Sequence, residues 1–280
     1  MGTKRPNSKR NLDMAIRRLG RGAVDYLNAR TLIANAIVCE LMPAGAVKGG
    51  SALKMRFGGD TTRATTDLDV ARAIDLELFV AEFEKNLAEG WNGFTGRLVR
   101  KTPATPDGVP AAYVMQPFEI KLSYNDAPWC TVMFELGFDE IGDADNPDWV
   151  AQDEVSGVLK ALGFPAVHPA PLMQLHHQIA QKLHAASEEG STRAHDLIDL
   201  QLIVAKGSVD YSKTLATCKR LFAYRGAQAW PPTIVENANW AEIYAEQAAG
   251  LEVLPTVKEA MKWANELIDH IDGVGREISS

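Results

Sequence analysis

The segment Lys48-Gly49-Gly50-Ser51-Ala52-Leu53, followed by Thr66-Asp67-Leu68-Asp69-Val70, constrains this chain more than any other feature. A Gly-Gly-Ser turn opens a helix, and a short strand then carries two carboxylates one residue apart. Strand side chains alternate faces, so Asp67 and Asp69 point one way while Leu68 and Val70 point into a core. Two like charges held that close are costly unless a cation lies between them. Oxygen ligands of this kind suit Mg²⁺, which takes a few carboxylates and fills its other positions with water and substrate phosphates. The backbone amides of the turn can approach a triphosphate closely, and the helix behind them aims its positive end at it. The two features together read as a site for transferring part of a nucleotide.

A chain of 280 residues, 46% hydrophobic and 23% charged, can bury the core of one large domain or two modest ones. No apolar run approaches the length of a membrane span, and the basic N-terminus lacks the apolar centre of a secretion signal. Cys39, Cys130 and Cys218 are far apart and odd in number, which fits neither a disulfide framework nor a metal cluster. A reducing cytoplasm is therefore the expected location. Net charge is −7, but residues 1–30 hold eight basic side chains (Lys4, Arg5, Lys9, Arg10, Arg17, Arg18, Arg21, Arg30) against Asp13 and Asp25. That is +6 locally and −13 over the other 250 residues. A basic arm on an acidic body can hold a nucleic-acid backbone; the competing reading is a solvated helix behind a disordered leader.

Periodicity predicts a helix over residues 11–40, ended by Pro43 and Gly45, and a short helix over 51–57. An amphipathic helix is expected over 75–90, stopped by Gly90. Segments 97–101, 113–124 and 129–138 read as strands, the last two joined at Asn125-Asp126-Ala127-Pro128 as a hairpin. Residues 139–157 are polar and acidic, and after them helices are expected over 170–187, 193–206, 211–223, 238–249 and 256–272. The division is thus an α/β lobe over 1–157 and a helical lobe over 158–280.

A third carboxylate should come from a neighbouring strand. Glu119 shares a strand face with Lys121, which can neutralise it, whereas Glu135 has no such partner in its own strand and is preferred. In the helical lobe, Lys182 lies at the margin of an apolar face made by Leu172, Leu175, Ile179 and Leu183. Asp196 falls between Leu200 and Ile203 in the next helix and so needs a partner, Lys182 or Arg193. One reading is an interhelix salt bridge; the other is a lysine placed to meet a triphosphate oxygen and oriented by Asp196. His168, His176, His177, His184 and His195 crowd one region without a cysteine or an i, i+4 His pair, which favours surface or capping histidines over zinc ligands.

Four segments in this order resemble the AbiEii/AbiGii-type nucleotidyltransferase toxins, including the MenT-like group. They are Lys48-Gly49-Gly50-Ser51-Ala52-Leu53, Arg63-Ala64-Thr65-Thr66-Asp67-Leu68-Asp69, Gln178-Ile179-Ala180-Gln181-Lys182-Leu183-His184-Ala185 and Arg193-Ala194-His195-Asp196-Leu197-Ile198-Asp199-Leu200. The resemblance spans about residues 45–205. The Gly-Gly and Asp-x-Asp pair is shared with the whole polymerase-β-like superfamily, and the two later segments make it specific. The resemblance implies an α+β fold: a polymerase-β-like lobe with a small mixed sheet, followed by a helical C-terminal lobe. It implies a toxin of a toxin–antitoxin system, with a cognate antitoxin protein, that moves nucleotides from a nucleoside triphosphate to an RNA 3′ end, tRNA above all. By the same resemblance Gly49, Gly50 and Ser51 hold the triphosphate, Asp67 and Asp69 bind Mg²⁺ or Mn²⁺, and Lys182 and Asp196 complete the site. Thr65 stands where relatives often carry a serine, and keeps its hydroxyl. On this scheme Glu135 holds a metal near the attacking hydroxyl, while Lys182, Arg56 and Arg63 offset phosphate charge. Two other classes stay open: a kinase-like enzyme or nucleotidyl transfer to a protein hydroxyl, and a non-catalytic binding module. Crowding two carboxylates beside a Gly-Gly turn speaks against the last.

Overall fold

Alternation of apolar and polar residues along the strands translates directly into a sheet with one buried and one open face. The computed structural model describes residues 4–19, 23–104 and 114–277. Among these, seven strands form one sheet: β1 (Gly45–Lys48), β2 (Asp67–Arg72), β3 (Phe94–Arg100), β4 (Gln116–Tyr124), β5 (Ala127–Phe138), β6 (Asp148–Val150) and β7 (Ala170–Leu172). Their order is β3-β4-β5-β2-β1-β7-β6. The pairs β1·β7 and β2·β5 are parallel and the others antiparallel, so the sheet is mixed, as expected. The helices are α1 (Lys9–Leu19), α2 (Ala23–Leu41), α3 (Gly49–Phe57), α4 (Leu76–Glu89), α5 (Asp153–Ala161), α6 (Leu175–Ser187), α7 (His195–Lys206), α8 (Tyr211–Arg225), α9 (Trp240–Ala248) and α10 (Val257–Glu277).

The chain forms two compact units that interleave in sequence. One comprises residues 1–51, 66–139 and 147–172, and the other residues 52–65, 140–146 and 173–280. In the sheet unit, Leu68, Val70, Phe118, Ile120, Phe134 and Leu136 are buried on one face. Helix α4 covers them, with Phe79 and Phe83 set 6.4 and 5.5 Å from the Phe134 ring. Asp75 caps α4 by accepting from the Glu77 amide at 2.8 Å, and Gly90 ends it at φ +73°. The β4–β5 hairpin turns at Asn125 and Asp126, both at positive φ (45° and 63°), which Asn and Asp tolerate best among side-chain-bearing residues. The helical unit has its own core, built from Leu183, Leu197, Ile198, Leu200, Ile203, Leu221, Trp240 and Ile268.

Several expectations are corrected. The single helix over 11–40 is two helices, α1 and α2, with residues 20–22 outside the described residues. The expected strand over 113–124 begins at Gln116; Tyr113 lies outside the described residues, as does Arg21 of the basic cluster. Residues 139–157 include β6 and the start of α5, and residues 170–172 form a strand instead of opening a helix. The N-terminal segment is no loose leader over its described part. Leu12 and Ile16 are fully buried, and the Pro6 carbonyl accepts from the Tyr124 hydroxyl.

Candidate active site

In the sheet unit, register decides which side chains meet. Asp69 pairs with Glu135 across the parallel β2·β5 ladder, and Asp67 pairs with Met133. Side chains at paired positions share a face, so Asp67, Asp69 and Glu135 stand together on the open face. On its other side Asp69 pairs with Lys48 of β1. The Lys48 ammonium lies 2.9 Å from the point where a Cβ on Gly137 would sit, so glycine at 137 leaves room for a cation over this face. Glu119 is one strand further out, opposite Met133. It accepts from Lys101 at 2.9 Å and lies 3.4 Å from Lys121. The hydrogen bond from Lys101 above all, and that from Lys121, holds its carboxyl below the usual carboxylate range. Glu119 therefore has the ion-pair employment foreseen for it, and Glu135 is the carboxylate in register with Asp69.

The Gly-Gly turn lies against the same carboxylates. Gly49 has φ +66°, and a Cβ there would fall 2.3 Å from Asp69 Oδ2. Both facts require glycine. Ser51 is buried and donates to the Asp67 carbonyl at 2.6 Å, which ties the first turn of α3 to the start of β2. Its hydroxyl is thus an anchor of the turn. Thr66, to which no role was given, donates to Asp67 Oδ1 at 3.1 Å.

In the helical unit, Lys182 on α6 is 4% exposed and its ammonium bonds Asp196 at 2.8 Å and Asp199 at 2.6 Å. Both carboxylates belong to α7 and are buried. Arg193 donates to Asp196 Oδ2 at 2.8 Å. Arg63 grips Asp199 with both arms, Nε at 3.0 Å and Nη2 at 3.1 Å. Asp196 thus takes both foreseen partners. The role of Asp199 as a second anchor was not foreseen, although its i+3 spacing from Asp196 marks it on the same side of α7. Burial alone would raise the Asp196 carboxyl; Lys182, Arg193 and His195 outweigh it and hold it well below the usual range. Arg56 donates to the Met173 carbonyl at 3.2 Å. Thr65 is half-buried in this unit.

His168 is exposed, as the surface reading expects, but two of the histidines depart from it. His177 and His184 are buried, and burial followed by the Arg225 charge lowers His184 to about 4. His195 is likewise lowered to about 4 by burial and the surrounding cations, against the opposing pull of Asp196.

No group of three or more His, Cys, Asp or Glu converges as a metal cage among the described residues. The donor chemistry on the open face nonetheless fits Mg²⁺, which needs only one or two carboxylates when phosphates and water complete its shell. Among the described residues no helix is long and apolar enough to cross a membrane.

The family described as nucleotidyl transferase AbiEii toxin, type IV toxin–antitoxin system, matches residues 33–267. Among solved structures the fold is similar to MenT4, a nucleotidyltransferase toxin of Mycobacterium tuberculosis H37Rv. The TM-score is 0.51 at 17% identity, covering 94% of this chain and 98% of that one. JHP933 of Helicobacter pylori matches at TM-score 0.45 and 13% identity, over 90% of this chain and 94% of its own. No curated protein sequence matches.

Proposed function

Because the chain belongs to the AbiEii family of nucleotidyltransferase toxins of toxin–antitoxin systems, we propose that it transfers nucleotides from a nucleoside triphosphate to the 3′ end of an RNA, tRNA in particular. Membership implies a nucleotide substrate and an antitoxin partner. The observation that carries the reading is the register of Asp69 with Glu135, Asp67 on the same face, and Gly49 held against Asp69.

Asp67, Asp69 and Glu135 would hold Mg²⁺ or Mn²⁺. When bound, two such ions lower the pKa of an attacking hydroxyl and offset charge on the pyrophosphate leaving group. The chain's own residues do the rest. Gly49 and Gly50 bring backbone amides close to the triphosphate, and the start of α3 favours its negative charge. Thr66 orients Asp67 through its hydroxyl, and Ser51 fixes the turn to β2. Lys48 tempers the negative charge around Asp69. For Lys182, Asp196, Arg56 and Arg63 we propose charge compensation and its support, a role resting on the two helical motifs; for Thr65 we propose a nucleotide-binding hydroxyl close to the metal site. The reaction is cytoplasmic on this reading.

The test is incubation of the full chain with total RNA and each triphosphate, labelled at the α- or the γ-phosphate, followed by sizing of the product. Label from the α-position in a discrete RNA band is expected. Label from the γ-position alone, or label in protein, would replace the proposal with a kinase or a protein-modifying activity.

A further inference from the structure

The open face of the sheet does not stop at the carboxylates. One row along from Asp67 and Met133, about 7 Å by strand geometry, Thr131 of β5 pairs with Lys121 of β4, and Lys121 with Arg97 of β3. These three residues and Arg30 of α2 line a groove of about 590 Å³, within the range of ligand clefts. A smaller hollow continues it, sharing Arg30 and Thr131 and reaching Thr66, the residue that bonds Asp67. Leu27 and Met133 line that hollow and are 56% and 40% exposed.

Charge is distributed unusually here. The protein has a net charge of −7, yet among the described residues the two hollows are lined by three cations and by no carboxylate. Arg97 is exposed, and Lys121 shares Glu119 with Lys101. Arg30 flanks the Tyr26 ring at 6.0 Å, and Arg17 of α1 covers it at 4.7 Å, which extends the cationic strip toward the N-terminal helix.

We propose that this groove binds the single-stranded 3′ end of the acceptor RNA. Arg97, Lys121 and Arg30 hold successive backbone phosphates, and the terminal base rests on Leu27 and Met133 beside Thr66. The assignment rests on the nucleotidyl-transfer reading for its direction, since the apolar end lies next to Asp67. Single-stranded nucleic acid suits such a strip because phosphate contacts track a cationic groove and base faces need an apolar platform. A duplex has its bases stacked inside and offers the hollow nothing.

Binding of a 5′-fluorescein-labelled, single-stranded oligoribonucleotide to the full chain, followed by anisotropy at several salt concentrations, tests this. Arg97→Glu and Lys121→Gln should each weaken binding on the order of tenfold, and each lost phosphate contact should lower the salt slope by about 0.7. Lys85→Glu, at an exposed cation on α4 that pairs with Glu89, should bind as the wild type does. Wild-type affinity and slope in both groove variants would overturn the proposal, as would equal competition by a duplex of the same sequence. The transfer assay separates the two readings. Labelled RNA with unchanged binding by the variants removes the groove alone. Unlabelled RNA with lost binding removes the transfer reading and leaves the groove as an RNA surface.

Discussion

At the residue scale, Gly49 and Asp69 constrain each other. A side chain at 49 would meet the Asp69 carboxylate at 2.3 Å and would also sit at φ +66°. Gly49→Ala should therefore cost about 1–3 kcal/mol of stability through backbone strain and abolish transfer by displacing Asp69. Gly58→Ala is the informative comparison. It too has a positive φ, +94° with ψ 152°, and nothing lies within 4 Å of the added Cβ. It should lose stability and keep transfer; loss of transfer in both would make the effect one of folding. Asp67→Asn and Asp69→Asn should each lower transfer more than about 100-fold while the melting temperature holds or rises, because one of two neighbouring carboxylates is neutralised. Full activity in either, measured by label incorporation, would remove the site from this face. The two aspartates and the glycine turn were legible in the sequence because period-two alternation and glycine have local meanings. Lys48 and Thr66 were not, because their relevance comes from strand pairing and from a turn that no local pattern specifies.

At the element scale, α6 and α7 are joined by a buried charge cluster. Lys182, Arg63 and Arg193 face Asp196 and Asp199, and the lysine is buried with both carboxylates. Breaking one partner of such a group leaves an uncompensated interior charge, at about 3–5 kcal/mol. Asp196→Asn, which leaves three cations around Asp199, should approach that loss in denaturant unfolding, whereas Lys182→Met, which leaves Asp196 with Arg193 and Asp199 with Arg63, should lose less. The double variant should lose less than the sum by about 1–3 kcal/mol, since the two act on one interaction. Asp199→Asn should match Asp196→Asn, because Asp199 serves both Lys182 and Arg63. Additive losses would mean that Lys182 and Asp196 are held independently. The sequence made the pairing of Lys182 with Asp196 readable from the helical wheel. Arg63 was beyond its reach, being 136 positions from Asp199 along the chain. The same limit applies to β6 and β7. Each has three residues, too few to show a period, and they exist as strands through their pairing with each other and with β1.

At the scale of the whole molecule, titration links the buried groups to stability. His184 and His195 are each lowered to about 4 from 6.5. The cause is chiefly burial, reinforced for His184 by Arg225, which donates to its Nδ1 at 3.3 Å. For His195, Arg193, Arg63 and Lys182 reinforce burial while Asp196 opposes it. Between pH 6.5 and 4 the unfolded chain therefore binds protons that the folded chain refuses, so stability falls as pH drops through that window. Asp196 acts in a second window. Its folded carboxyl lies below the ordinary 3.8, so its contribution is fully present above that value and is lost only as pH falls further. The melting temperature should thus drop on the order of 5 °C between pH 7 and 4.5 and continue to fall below pH 4. His184→Gln keeps an acceptor for Arg225 but cannot titrate, so it should reduce the fall across the first window by about half, leaving the His195 share, and leave the second unchanged. A melting temperature constant from pH 7 to 4.5 would mean that the folded protein protonates these histidines as readily as the unfolded chain does. A first window unchanged by His184→Gln would assign it to His195 and the cations around Asp196.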